Sequence, residues 1–291
     1  MNPAARAASL HARLLNGARE RREDFNLTLG RYAVERFLYR ISISEARDQF
    51  VLKGALLFDL WFDTPHRPTR DADFLGLGSM DAVALTQTMR TVCMVEADDG
   101  MRYDPATVET AEIREEASYG GLRVRLRGQL GKADSAVQLD VGYGDAVTPA
   151  AREVELPRLL DDLPAARLRV YPRETVIAEK LEAIVKLGMI NSRMKDYFDL
   201  HALQNEKAIN EAELVRAIAA TFQRRGTPLP AAPPVGLTPE FARDAQKRAQ
   251  WTAFLRKNRL ESPSLEVVIE GLAAWLGPAM RDAISVEKRA L

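Results

Sequence analysis

The chain has 291 residues, and its 41 Lys and Arg balance 41 Asp and Glu, so the formal net charge is zero. This balance disfavours proteins that coat nucleic acid nonspecifically, which are normally basic, although it allows a local basic groove. A single cysteine, Cys93, excludes an internal disulfide and a cysteine-built zinc site, and it favours the reducing cytoplasm. No apolar run approaches the ~18 residues of a membrane span, so we expect no membrane partner.

In chain order, the hydrophobic pattern predicts helices, then a small mixed sheet, then helices to the end. The first predicted elements are helices at 4–24 and 26–47, a strand at 49–53, a helix at 55–62, a strand at 71–77 and a helix at 79–96. Strands follow at 107–113, 122–130, 136–141, 153–156 and 167–171, and helices at 173–187, 193–204, 210–225, 238–257 and 264–289. This order indicates an α+β fold. We expect a first domain at 1–172 and a helical domain at 173–291, with a proline-rich linker at 227–239.

The sequence lacks the motifs of several large enzyme classes. It contains no Walker A lysine loop, no dinucleotide-binding glycine fingerprint and no H-E-x-x-H pair. Its three histidines are too scattered for a histidine metal site. P-loop NTPases, NAD-dependent enzymes and zinc hydrolases are therefore disfavoured.

Asp71 and Asp73 are the strongest candidates for chemistry. They are two residues apart on a predicted strand, so both carboxylates lie on the same face. Such neighbours repel each other unless a cation neutralises them, and Mg²⁺ is the usual oxygen-bound cation near phosphates. Taken alone, the pair is also compatible with the solvated end of an acidic strand.

Two further segments extend this candidate site. Lys53, Gly54 and Ala55 lie on a predicted strand-to-helix turn, where a glycine lets backbone N–H groups approach a phosphate. Asp140 lies on the polar side of an alternating strand. It is either a third metal-binding carboxylate or an exposed strand residue.

Three sequence blocks resemble the nucleotidyltransferase superfamily, and more narrowly the AbiEii/AbiGii-type toxins, including MenT-type toxins. The blocks are K-G-A-L-L-F-D-L with P-T-R-D-A-D-F, then I-A-E-K-L-E-A-I, then K-D-Y-F-D-L-H-A-L. The resemblance implies a nucleotidyltransferase-like core with two Mg²⁺ ions on Asp71 and Asp73, and active-site roles for Lys180 and Asp199. Ala55 stands where such toxins usually carry Gly or Ser, so no hydroxyl is available there.

The resemblance also implies a function. The chain would be the toxin of a toxin–antitoxin system and would move a nucleoside monophosphate from an NTP to an RNA acceptor, above all the tRNA 3′ end. Translation would stop, and a cognate antitoxin would be the partner. A nucleotidyltransferase that modifies protein side chains and a catalytically inactive interaction module on the same fold stay open as alternatives.

Lys180 has a functional and a structural interpretation. It lies at helical spacing with Val176 and Ile184, so its half-buried ammonium needs an anion or must reach water. A triphosphate would suit, and loss of Lys180 is then expected to cost activity rather than stability. Ion pairs with Asp196 and Asp199 on the helix surface are the alternative.

Two more features are open in the same way. Arg123, Arg125 and Arg127 share one strand face and either contact an RNA backbone or form a solvated surface. Thr69 lies two residues before Asp71, and the resemblance implies control at this position. A phosphate on Thr69 would add about −1.5 to −2 charges beside the acidic pair and could switch the site off.

Overall fold

The computed structural model describes residues 2–62, 66–69, 71–113 and 120–290. The chain divides into two compact units. Unit 1 comprises Met1–Gly144 and Arg152–Val170, and unit 2 comprises Asp145–Ala151 and Tyr171–Leu291. No helix at the described residues is long and apolar enough to cross a membrane.

The described residues of unit 1 form four helices and a sheet. The helices are α1 (Pro3–Glu20), α2 (Phe25–Ser42), α3 (Leu56–Trp61) and α4 (Ala82–Cys93), and a 3-10 turn spans Glu45–Gln49. The strands are β1 (Phe50–Lys53), β2 (Asp71–Gly76), β3 (Met101–Ile113), β4 (Gly121–Leu130), β5 (Ala133–Tyr143), β6 (Arg152–Glu155) and β7 (Arg167–Val170).

Over the part of the chain that the structure describes, the sheet has seven strands in the order β3-β4-β5-β2-β1-β7-β6. The pairs β2–β5 and β1–β7 are parallel and the others are antiparallel, so the sheet is mixed. Together with the N-terminal helices and the helical C-terminal part, it confirms the predicted α+β fold.

One face of the central strands is apolar and the other carries charge. Val137, Leu139 and Val141 of β5 are buried, and α2 packs against this strand. Because side chains alternate along a strand, the residues between them point to the opposite face. That second face is half-exposed and holds the candidate site.

A buried charge cluster fixes α2 within unit 1. The Asp99 carboxylate accepts hydrogen bonds from Arg36 at 3.0 Å and from Arg40 at 2.6 and 3.0 Å. All three side chains are almost fully buried. Since breaking a buried pair costs about 3–5 kcal/mol, the cluster holds α2 in one position under the sheet.

Unit 2 is helical. Its helices are α5 (Arg173–Leu187), α6 (Met194–Leu203), α7 (Glu211–Arg225), α8 (Pro239–Arg243), α9 (Ala245–Asn258) and α10 (Leu265–Ala290). The segment Asp145–Ala151 is anchored here: Arg225 pairs with Asp145 at 3.0 Å and with Glu182 at 2.9 Å. The Thr175 hydroxyl binds both backbone groups of Thr148.

Three local predictions need correction. Strand β3 begins at Met101 rather than at residue 107, and the helix predicted at 238–257 is two helices, because Asp244 caps α9. The proline-rich stretch 227–239 is more than a linker. Gly236 is buried, and its carbonyl accepts a hydrogen bond from the Tyr197 hydroxyl at 3.0 Å.

Candidate active site

Four charged residues form one row across the polar face of the sheet. Lys53 of β1 is paired in register with Asp73 of β2, Asp73 with Asp140 of β5, and Asp140 with Arg123 of β4. In the two antiparallel pairs of this row, directly opposite residues bring their Cβ atoms to about 4.5–5.5 Å. Two carboxylates therefore lie side by side between two cations.

Asp71 belongs to the next row of the same face. Its register partner on β5 is Gln138, whose partner on β4 is Arg125. The Thr69 hydroxyl donates a hydrogen bond to the Asp71 carboxylate at 2.9 Å. The structure thus places Asp71, Asp73 and Asp140 on one face, as the alternating pattern predicts, and adds Thr69 as a direct partner of Asp71.

Gly54 is required at the turn between β1 and α3. Its φ is +77°, a conformation that favours glycine. A Cβ atom built there would lie 2.0 Å from Oδ2 of Asp73, so the backbone of the turn passes directly against this carboxylate. Ala55 caps α3 without a side-chain hydrogen bond. The turn therefore brings backbone rather than a hydroxyl group to Asp73.

Asp140 is already engaged by an arginine. Arg123 binds it through two hydrogen bonds, Nε to Oδ1 at 2.8 Å and Nη2 to Oδ2 at 2.6 Å. This bidentate pair neutralises the carboxylate that the sequence suggests as a third metal ligand. Arg123 is one of the three arginines suggested for RNA contact, and this pair engages its guanidinium. Arg125 and Arg127 are exposed.

The oxygen donors of this face suit a hard divalent cation. Asp71 and Asp73 supply carboxylate oxygens on one side of a strand, which is the donor chemistry that Mg²⁺ prefers. Within the described residues, however, no group of three or more acidic, histidine or cysteine side chains forms a ready metal cluster. The pair itself is therefore the fitting donor set, with Asp140 held by Arg123.

A second charge cluster lies in unit 2, between α5 and α6. The Lys180 ammonium donates to Asp196 and to Asp199, at 2.8 Å in each case. Both carboxylates are 0% exposed, and Arg193 donates to the second oxygen of Asp196 at 2.7 Å. The two predicted residues Lys180 and Asp199 are thus in direct contact.

The charges of this cluster stabilise one another. Burial disfavours the charged form of Lys180, but the two aspartates outweigh burial and raise its pKa. Burial likewise favours protonation of Asp196, but Lys180 and Arg193 outweigh it and lower the pKa of this carboxyl. Lys180 and Asp196 are therefore both charged near neutral pH.

Two residues that were not among the site residues expected from the sequence contact those residues in the structure. Asp196 contacts Lys180 as closely as Asp199 does, and its i,i+3 spacing to Asp199 in the sequence is the available signal. Gln138 lies between Asp71 and Arg125 and contacts Arg125 at 3.3 Å. Alternation along β5 places Gln138 on the same face as Asp140, but its pairing with Asp71 and Arg125 depends on strands that are far apart in sequence.

The model of the family described as "Nucleotidyl transferase AbiEii toxin, Type IV TA system" matches residues 36–284. The chain belongs to this family. The match includes both charge clusters, so the resemblance of the three sequence blocks to AbiEii toxins is confirmed. The protein is thus a nucleotidyltransferase of a toxin–antitoxin toxin family.

Two solved structures from Helicobacter pylori are similar to this chain. JHP933 is 16% identical, with a TM-score of 0.48 over 90% of this chain and 94% of that protein. A candidate nucleotidyltransferase is 15% identical, with a TM-score of 0.49 over 89% of this chain and 97% of that protein. No curated protein matches the sequence.

Proposed function

We propose that this AbiEii-family toxin transfers a nucleoside monophosphate from an NTP to the 3′ hydroxyl of an RNA, with the tRNA 3′ end as the acceptor. The observation that carries the proposal is the contact between the Gly54 turn and Asp73, beside Asp71 on the same strand face. A backbone turn against a carboxylate pair is suited to hold a metal-bound triphosphate.

Asp71 and Asp73 would hold the cation, which we take to be Mg²⁺. When bound, such a cation activates the acceptor hydroxyl and stabilises the leaving pyrophosphate. Lys53 lies next to Asp73 in the cross-strand row and would contact phosphate together with the backbone of Gly54 and Ala55. Asp140 would join the cation only by giving up its pair with Arg123.

We also propose an active-site role for Lys180 and Asp199, in keeping with the resemblance of their sequence blocks. Asp199 and Asp196 hold the ammonium in one position, so it is oriented before any substrate binds. Lys180 would then bind a phosphate oxygen as that oxygen gains charge in the transition state. Its side chain is 13% exposed, which leaves part of it accessible to a ligand.

RNA binding, control and partner are further parts of the proposal. Arg125 and Arg127, which are exposed, would contact the RNA backbone, with Arg123 beside them. A phosphate on Thr69 would replace its hydrogen bond to Asp71 with repulsion. Family membership supports a cognate antitoxin, and we place the protein in the cytoplasm, where NTPs and tRNA are found.

Incubation with each α-labelled NTP, Mg²⁺ and total RNA tests the reaction. We expect label on RNA, lost with Asp71→Asn and lost when periodate has oxidised the RNA 3′ end. Label that persists on protein after RNase treatment would instead indicate the protein-modifying alternative. An absence of label together with growth arrest that survives Asp71→Asn would indicate an interaction module.

Control at Thr69 needs a separate measurement. We expect mass spectrometry of toxin co-expressed with its antitoxin to find phosphate on Thr69, and the modified protein to transfer no label. Thr69 that is always unmodified under this co-expression would rule out the regulatory part of the proposal and leave the transfer reaction in place.

A further inference from the structure

Unit 1 contains a cavity of about 100 Å³ that reaches Asp71. Aliphatic side chains from α2, β1, α3 and residues 156–159 form most of its wall. Arg31, Asp59 and Thr69 lie with Asp71 among its polar groups. We call it the Asp71 cavity, and none of the roles proposed above uses its apolar wall.

Hydrogen bonds hold the wall of the cavity in place. The backbone N–H of Leu159 donates to Glu35 at 2.7 Å, and Arg36 donates to the carbonyl of Pro164 at 2.8 Å. Arg13 binds Asp162 through two hydrogen bonds of 2.9 and 2.5 Å. Segment 156–166 is thereby fixed, so a ligand would meet a preformed surface.

The polar end of the cavity has loosely paired charges. Arg31 lies 3.5 Å from Asp59 and 3.6 Å from Glu23, longer than the ~2.7–2.9 Å of a strong charge-assisted hydrogen bond. Burial raises the pKa of the Asp59 carboxyl, an effect that Arg31 opposes. A ligand edge with both a donor and an acceptor would therefore improve the hydrogen bonding of both residues.

The size of the cavity suits part of a flat ring. An apolar cavity of ~150 Å³ holds a benzene molecule completely. The Asp71 cavity is about two-thirds of that size, but Pro157 and Arg158 of its lining are exposed, so it reaches the surface. A planar ring can enter with one part between aliphatic side chains and the rest at the mouth.

We propose that the Asp71 cavity binds the base of the nucleoside triphosphate, with Arg31 and Asp59 at the edge of the ring. The inference rests on the proposed function and names the surface that recognises the nucleotide. Because Asp71 itself lines the cavity, a base bound there lies beside this carboxylate, and its sugar and phosphates would extend from the Asp71 end.

Calorimetric titration of the full chain with Mg²⁺ and α,β-methylene NTPs tests the inference, with inorganic triphosphate as a probe that lacks a base. The variant Leu156→Trp fills the cavity, and Leu160→Trp is its control. Both leucines are 8% exposed and four residues apart, but only Leu156 lines the cavity. We expect Leu156→Trp to weaken NTP binding at least tenfold, with triphosphate binding and the control unchanged.

Other outcomes separate this inference from the proposed function. Unchanged NTP binding by Leu156→Trp, or an equal loss for NTP and triphosphate, would overturn the base site and leave nucleotidyl transfer standing. A wild-type protein that binds neither probe would overturn the proposed function itself.

A second pair of variants covers the case in which Leu156→Trp does not fold. Arg31→Met should reduce the differences in affinity among the four NTPs, whereas Arg21→Met should preserve them. Both arginines pair with Glu23, but Arg21 does not line the cavity. Identical NTP preferences in both variants would contradict the inference.

Discussion

The charge clusters of the two units hold their carboxylates in opposite ways. On the sheet of unit 1, Asp73 and Asp140 are half-buried and can be rehydrated when a partner leaves. In unit 2, Asp196 and Asp199 are 0% exposed, and both depend on Lys180. Buried charges without a partner are far more costly than exposed ones. The first cluster is therefore suited to exchange partners for a ligand, whereas the second is also part of the fold.

The largest effect on stability is expected for Lys180→Met. It removes the ammonium that binds two buried carboxylates at 2.8 Å, so the free energy of unfolding should fall by about 3–5 kcal/mol. Urea denaturation measures this, with the exposed Lys195→Met as a control that should change little. The buried pairs thus reverse the expectation from the sequence that stability would hardly change. A wild-type denaturation midpoint for Lys180→Met would mean that the two clusters do not differ.

For Asp73→Asn, the expected effect is on activity. Nucleotide transfer should fall at least ~1,000-fold, equivalent to about 4 kcal/mol of transition-state stabilisation, while the melting temperature stays near wild type. The exposed Asp134→Asn on β5 is the control and should remain active. A strongly destabilised Asp73→Asn protein would show that the sheet cluster is structural after all.

Gly54→Ala should lower both stability and activity, each by less than the two variants above. The added methyl would lie 2.0 Å from the Asp73 carboxylate and displace it, so transfer should fall about 100-fold, or ~2.7 kcal/mol. Gly78→Ala is the control, because its φ of +82° imposes similar backbone strain but no atom lies within 4 Å. Equal activities of the two variants would show that strain, not contact with Asp73, matters.

Thr69→Val removes the hydrogen bond to Asp71, so nucleotide transfer should fall about tenfold. The turnover number should fall more than the affinity for NTP, because the hydroxyl orients a carboxylate rather than binding substrate. Thr69→Ser should restore activity, since it keeps the hydroxyl. If Thr69→Ser is as impaired as Thr69→Val, the methyl group rather than the hydrogen bond is important.

The smallest expected effect is the contribution of the buried cluster in unit 2 to the pH dependence of unfolding. The pKa of Asp196 is lowered in the folded state. Its stabilisation is therefore present above the unfolded-state pKa of ~3.9 and is lost as pH falls through the folded-state pKa. The pKa of Lys180 is raised in the folded state. Its stabilisation is therefore present below the unfolded-state pKa of ~10.4 and is lost as pH rises through the folded-state pKa. Relative to wild type, Lys180→Met/Asp196→Asn/Asp199→Asn should show a flatter profile in both ranges.

Local signals predicted much of the fold. The helix expected at 173–187 has those bounds in the structure, because Pro172 precedes it and Gly188 ends it. Strand β3 was underestimated at its start, where Pro105 argues against a strand. The sheet accepts this proline because β3 is an edge strand with an irregular register between Asp104 and Glu109.

The site was predictable only along each strand, not across strands. Period-two alternation places Asp71 and Asp73 on one face from the sequence alone. The pairing of Asp73 with Asp140, and of Asp140 with Arg123, depends on the order and register of strands that are distant in sequence. The spacing of Lys180 likewise gave no indication that both aspartates would be fully buried.

The short segment Asp145–Ala151 has a consequence for the history of the gene. Because it belongs to unit 2 but precedes β6 and β7, the chain passes between the units after residues 144, 151 and 170. A single recombination event at residue 171 would separate Asp145 from Arg225 and remove both partners of the Thr175 hydroxyl. A single crossover could therefore not transfer the intact helical unit to another toxin. We expect the two units to be inherited together.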